Sequence, residues 1–176
     1  MQTEVTIWYL EMLDRHQLRA KPSGEYPLRI EQAKMPCPEF SRFLYTSVGK
    51  DWHWVDRLSW SRERWLEYLD RPQLQTWVAY ISGTPAGYFE LEAQPNQTVE
   101  IACFGILPQF IGQKLGGHLL SVAAEQAWAM NSQRVWVHTC SLDSPYALAN
   151  YQARGFQIYK EEKHTQELPD QRSVWA

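Results

Sequence analysis

No apolar stretch of this chain approaches the ~20 residues that a helix needs to span a bilayer, which excludes a transmembrane helix. Neither sign of charge prevails: 17 Lys and Arg stand against 20 Asp and Glu, a net charge of -3. That balance gives no electrostatic reason to expect nucleic acid or an anionic membrane as partner. Cysteine is scarce. Cys37, Cys103 and Cys140 are odd in number, widely spaced and without CxxC or Cys/His spacing, which argues against a disulfide framework and against a zinc site. They read as reduced thiols in a cytoplasmic protein, and no metal is expected. The opening "MQTEVTIWYLEMLDRHQLRA" lacks a basic start, a long apolar run and a small-residue cleavage site, so a secretory leader is not expected. With no internal repeat, low-complexity tract or linker, residues 1–176 are expected to form one domain with a core large enough to fold unaided.

What the chain has in excess is tryptophan. There are nine, and Trp52, Trp54, Trp60 and Trp65 crowd into one short segment. Val5 to Leu13 reads as a strand, and "YPLRIEQAKM" alternates well enough for a second. "CPEFSRFLYTSVG" and "SRERWLEYLD" have helical spacing, the first with Pro38 near its start, the second with Ser61 as N-cap and Pro72 as stop. Three strand-like runs follow, "QTWVAYIS", "AGYFELEAQ" and "QTVEIACFGIL", split by the turn signals Gly83-Thr84 and Pro95-Asn96; short connections make them antiparallel neighbours. From Leu115, apolar residues recur every three to four positions to Met130, a long helix. "RVWVHTC" is a strand. "SPYALANYQAR" is a helix capped by Ser144 and ended by Gly155, and "FQIYKEEKHTQEL" is a last strand. The strand ending at Leu107 and the strand at Val135 are joined through a helix, so a right-handed crossover makes them a parallel pair. The expected fold is α+β, a mixed and mostly antiparallel sheet with an internal parallel pair.

Between the strand and the long helix lies "ILPQFIGQKLGGHLL", with Gly112, Gly116 and Gly117 where the helix must start. Such a turn exposes backbone N–H groups beside the positive end of the helix dipole, which together bind phosphate without a cationic side chain. Neither GxxxxGK[ST] nor GxGxxG fits, because Leu115 follows Lys114 and the glycine spacing is wrong. On this stretch alone, a glycine-rich turn kept for packing is an equal alternative.

Two segments resemble the GNAT superfamily of acyl-CoA-dependent N-acyltransferases. The family pattern V-x-P-x-x-[RQ]-x-x-G-x-[GA] corresponds to Ile106, Pro108, Ile111, Lys114 and Gly116; Ile111 and Lys114 depart from it, with Gly112 and Gly117 as flanking glycines. The pattern N-x-x-A-x-x-x-Y-x-x-x-G-[FW] corresponds to Ser144, Ala147, Tyr151, Gly155 and Phe156, with only the leading Asn changed. The resemblance covers Pro27 to Leu168 and leaves Val5 to Leu13 as an extra N-terminal strand. It implies a GNAT-type sheet with a central splayed parallel pair, and acetyl-CoA as co-substrate. Its pyrophosphate would rest on the loop Ile111, Gly112, Gln113, Lys114, Leu115, Gly116 and Gly117. The acyl carbonyl would be polarised by the backbone at Ile106 or Leu107. Ser144 would hydrogen-bond the pantetheine arm, serve as a helix cap, or both.

Amide formation from a thioester needs a neutral amine, a polarised carbonyl, alignment of the two, and a proton for the thiolate. An alkyl amine of pKa about 10.4 arrives protonated, so a base or an ordered water path is required. The resemblance gives Tyr151 as acid and Glu100 as base; Glu90, Glu92 and His138 are alternatives on the same or neighbouring strands, His138 ranked last as a residue expected to be packed in the sheet. The acceptor side falls on "LYTSVGKDWHWVDRLSW". There Trp52, Trp54 and Trp60 would form an aromatic wall and Asp51 or Asp56 would meet an ammonium, or the tryptophans fill a second core with Asp56-Arg57 a surface pair. The expectation is N-acetyl transfer to a small-molecule primary amine by direct attack in a ternary complex, in a monomer or homodimer. The rivals are a non-catalytic acyl-CoA-binding member of the family and an unrelated α+β binding module.

Overall fold

Seven strands form one sheet: β1 (Gln2–Met12), β2 (Arg29–Gln32), β3 (Leu74–Ile81), β4 (Thr84–Gln94), β5 (Thr98–Ile106), β6 (Arg134–Cys140) and β7 (Gln157–Glu167). Among the described residues four α-helices accompany them: α1 (Pro38–Gly49), α2 (Arg62–Leu69), α3 (Gly116–Ala129) and α4 (Ala147–Ala153). The computed structural model describes residues 1–168; residues 169–176 of the expected domain lie outside the described residues. The strand order is β2-β3-β4-β5-β6-β1-β7, antiparallel throughout except for β5 and β6.

Local chemistry accounts for the elements. Between β3 and β4, Ser82 and Gly83 both take positive φ (49° and 83°), the backbone that a two-residue hairpin requires. Asn96 and Gln97 do the same between β4 and β5. Ser61 accepts a hydrogen bond from the Arg64 N–H at 3.1 Å and so starts α2. On α3, Leu119, Leu120, Ala123, Ala124 and Ala127 are all at 0% exposure and pack on the sheet with Phe89, Leu91, Val99 and Ile101. The other face of the sheet carries α1 and α2 over a second cluster of Leu44, Tyr45, Val48, Trp65, Tyr88 and Cys103.

Three details depart from expectation. The N-terminal strand lies inside the sheet, antiparallel to both β6 and β7. Burial explains the placement: Val5, Leu10 and Met12 are buried, whereas β7 is exposed along nearly its whole length and suits an edge. β2 is cut to four residues, since Pro27 has no N–H for a ladder. α4 begins at Ala147 because Ser144 closes a separate turn, its Oγ accepting from the Tyr146 N–H (3.3 Å) and its carbonyl from the Ala147 N–H (3.0 Å).

The parallel pairing of β5 with β6 joins only Thr98–Glu100 to Arg134–Trp136. Beyond it the two strands part. Tyr151 of α4 stands edge-on to Phe104 of β5 at 6.2 Å between ring centroids, at the opening.

Candidate active site

Two cavities meet at this opening. The first, about 610 Å³, runs along the start of α3 and the inner side of α4; the second, about 780 Å³, lies between the α1–α2 connection and the exposed ends of β5 and β6. Trp52, Trp54, Phe104, Asp143 and Tyr151 line both, so a molecule in one can touch a molecule in the other.

The first cavity is lined by Ile106, Ile111, Gly112, Lys114, Leu115, Gly116, Gly117 and Ser144 among the expected residues. Gly112 (φ 87°) and Lys114 (φ 61°) both adopt left-handed backbone, so the loop turns through two such residues to deliver the first amides of α3. Among the described residues, the N–H groups of Gly112 to His118 donate to no protein acceptor, while that of Leu119 bonds the Leu115 carbonyl at 3.0 Å. Leu107 is a correction: it does not line the cavity, and its N–H donates to the Ala86 carbonyl at 2.9 Å. Hydrogen-bonded and open pairs alternate along an antiparallel ladder. Ala86 opposite Leu107 is a bonded pair, so Gly87 opposite Ile106 is open and the Ile106 N–H points away from β4, toward the parted β6. The Gln113 side chain turns back to the Gln109 carbonyl (3.4 Å) and lines neither cavity, which leaves only its backbone N–H to serve the loop.

Tyr151 is buried, at 4% exposure. Burial raises its phenol well above the ordinary value, and the nearby Asp143 carboxyl adds to the rise, so the hydroxyl stays protonated. Asp143 accepts from Thr139 Oγ1 and from the Ser144 N–H, each at 2.8 Å, and burial still lifts its pKa above the usual carboxylate range.

In the second cavity Glu100 lies directly opposite Glu92 across the β4–β5 ladder. Two carboxylates so placed repel. Gln94 separates them, donating to Glu100 Oε2 at 2.8 Å and to Glu92 Oε1 at 3.2 Å, while its own oxygen accepts from the Trp136 indole at 2.9 Å. Glu92 is also paired with Arg71 at 2.7 Å. Burial alone would raise its pKa; the Arg71 and Gln94 hydrogen bonds outweigh that and hold it below the usual carboxylate range. His138, expected within the sheet packing, is instead exposed, stacked on Trp136 and tilted against Tyr9, with Nδ1 3.4 Å from Glu100 Oε1. Glu100 and His138 thus form a pair on the cavity wall.

Glu90 is removed from the choice of base. It is at 0% exposure and accepts from Arg57 Nη1 at both oxygens (3.0 and 2.9 Å) and from the Tyr68 hydroxyl (2.9 Å). Arg57 is not the surface partner of Asp56: its guanidinium is enclosed by the rings of Tyr45, Trp60, Trp65 and Tyr68, 4.4–5.7 Å from their centroids. Trp65 is buried in this second core; Trp54 and Trp60 pack against it and also line the second cavity, and Trp52 and Trp54 line both cavities. Burial pushes the Cys103 and Cys140 thiols upward, out of the range of reactive thiolates. Among the described residues, no cluster of His, Cys, Asp or Glu is arranged to hold a metal ion, and no helix is long and apolar enough to cross a membrane.

Sequence reasoning missed Lys21, Gln94, Asp143, Asn150 and Arg154. Asn150 donates from Nδ2 to the Gly116 carbonyl at 3.1 Å, tying α4 to the start of α3. Asp143 and Asn150 sit beside matched positions of the Tyr151 segment and could have been found there; nothing local marks Gln94 or Lys21.

A seven-stranded sheet that parts at one parallel pair, with an amide loop on one side and carboxylates on the other, defines an acyltransferase-type fold. The pattern of the acetyltransferase (GNAT) family matches residues 41–156. The chain belongs to that family, whose members transfer acyl groups from acyl-CoA. No curated protein matches it. Among solved structures, a GCN5-related N-acetyltransferase from Kribbella flavida shares the fold (TM-score 0.66, 15% identity), covering 93% of this chain and 58% of its own. An acetyltransferase from Bacillus subtilis in complex with CoA gives a TM-score of 0.59 at 24% identity, over 76% of this chain and 79% of that one. An aminoglycoside acetyltransferase from an uncultured soil metagenomic sample, in complex with sisomicin, gives 0.60 at 15%, over 72% and 86%. Structures matched over 93–94% of the chain are longer, and it spans 51–63% of their length.

Proposed function

We propose that this protein is an N-acetyltransferase that moves the acetyl group of acetyl-CoA to the primary amine of a small molecule by direct attack in a ternary complex. The observation that carries the reading is the meeting of the two cavities at Phe104, Asp143 and Tyr151. The donor takes the first cavity, its pyrophosphate on the amides of Gly112 to Gly117. Its thioester reaches the opening, where the outward Ile106 N–H meets the carbonyl oxygen as charge develops. The acceptor enters from the second cavity past Trp52 and Trp54. Glu100, oriented by Gln94, takes the ammonium proton, with His138 beside it to pass the proton to solvent. The neutral amine attacks, and the tetrahedral intermediate gives up the extra proton on its nitrogen to Glu100, free again once His138 has passed the first to solvent. The intermediate then collapses, and the departing thiolate takes its proton from Tyr151, whose phenolate is reprotonated from solvent. High-lying Cys103 and Cys140 thiols favour direct transfer over an acyl-cysteine. Three free cysteines fit a cytoplasmic setting.

The test is coenzyme A binding followed by an acceptor screen with acetyl-CoA that reads thiol release. Coenzyme A should raise Tm by mass action and pantetheine should raise it much less. Equal protection by both, or none, removes the phosphate loop. Strong coenzyme A binding with no thiol release across amine classes turns the reading to a non-catalytic acyl-CoA-binding protein.

A further inference from the structure

The chain between β1 and β2 is an arm that docks on the helices around the first cavity. The Arg19 N–H donates to the Arg154 carbonyl at 2.8 Å, the Lys21 N–H to Ser121 Oγ at 2.7 Å, and the Lys21 carbonyl lies 2.9 Å from His118 Nδ1. These bonds deliver the Lys21 side chain to the first turn of α3, and the Arg154 side chain arrives there from the end of α4. Gly117 makes the meeting possible. A methyl group on it would lie 2.7 Å from Arg154 Nη1, 2.7 Å from Lys21 Cδ and 3.6 Å from Lys21 Nζ.

Two cationic heads therefore stand over one spot on the helix start, and both line the first cavity. Like charges held together cost free energy unless an anion answers them. Among the described residues no carboxylate forms an ion pair with Lys21 or Arg154. The Arg154 Nε is buried and has no hydrogen-bond partner there. A third cation, Lys114, lines the same cavity.

We propose that Lys21 and Arg154 form a phosphate clamp, built from the N-terminal arm and the end of α4, that grips a phosphate of the ADP portion of coenzyme A. The inference rests on the coenzyme A reading above. Backbone amides serve any pyrophosphate; this pair adds side-chain charge, and a guanidinium–phosphate contact is directional. The arm that supplies Lys21 lies outside residues 41–156 that match the family, and outside its two motifs.

The experiment measures calorimetric affinity of coenzyme A and of dephospho-coenzyme A for the wild type, Lys21→Ala, Arg154→Gln and the double variant. Unfolding scans without ligand check that each variant is folded. Each single variant should weaken coenzyme A about 10-fold or more and the double variant further, as expected for hydrogen bonds to a charged group. Equal losses with both ligands put the clamp on the pyrophosphate; a loss with coenzyme A alone puts it on the 3′-phosphate. Folded variants that bind both ligands as tightly as the wild type overturn the clamp and leave the coenzyme A reading intact. A wild type that binds neither ligand overturns both.

Discussion

Removing Arg57 strands a carboxylate, and the size of the effect follows from where Glu90 sits. Its side chain is at 0% exposure and Arg57's at 13%, with both carboxylate oxygens engaged. In Arg57→Met, that carboxylate has no counter-charge and escapes by taking up a proton. For an ordinary glutamate of pKa about 4.3, protonation costs about 3.7 kcal/mol at pH 7 and about 1 kcal/mol at pH 5. Loss of the guanidinium from its ring cage adds about 0.5–2 kcal/mol. The sum at pH 7 agrees with the about 3–5 kcal/mol found when one partner of a buried pair is removed. For a chain of this length that is a Tm lower by about 6–20 °C.

The pH window, not the sign, distinguishes this variant from an ordinary broken ion pair, whose deficit shrinks only as pH falls below about 5. The variant's carboxyl is protonated in the folded state at a pH where the unfolded chain would be ionised. Its deficit relative to wild type therefore shrinks as pH falls from 7 to 5. Urea denaturation of both proteins at the two pH values measures the difference directly. Arg57→Met/Glu90→Gln keeps an acceptor for the Tyr68 hydroxyl and removes the titrating group, so it should recover most of the stability and lose the pH dependence. A deficit below about 1 kcal/mol at pH 7, or one that is independent of pH in the single variant, would show that the cage and not the charge pair holds the α1–α2 connection.

The remaining outcomes concern the cavities. Tyr151→Phe should keep coenzyme A affinity while turnover falls about 10–1000-fold in single-turnover kinetics; unchanged turnover moves the acid elsewhere. Glu100→Gln should lose rate at neutral pH and recover it toward alkaline pH as more amine arrives neutral, and a wild-type profile returns Glu100 to a structural role. Lys114→Gly should leave Tm level or higher, because the lysine holds left-handed backbone at a cost of about 1 kcal/mol; a clear fall in Tm refutes that strain.

How much of this could be read from the sequence depends on the range of the interaction. α3 was legible because its apolar period reports a buried face directly, and the β3–β4 turn because Gly83 marks it. Arg57 was not. Its partner lies 33 residues away on another element, and the adjacent Asp56 supplied a ready partner that made it read as surface. The choice among Glu90, Glu92 and Glu100 was closed to sequence for a subtler reason. The β4–β5 register shifts between Glu90, opposite Cys103, and Leu91, opposite Ile101, so Ala102 is an extra residue bulged from β5. Strict alternation from Cys103 would put Ile101 and Val99 on the α1–α2 face and turn Glu100 to the other. With the bulge, Val99 and Ile101 join the core under α3, and Glu100 shares a face with Cys103, Glu90 and Glu92. No glycine or proline announces a bulge at Ala102. One unmarked residue thus decides that Glu100 reaches the acceptor cavity, while Glu90, on the same face but beneath Arg57 and Tyr68, is sealed from it.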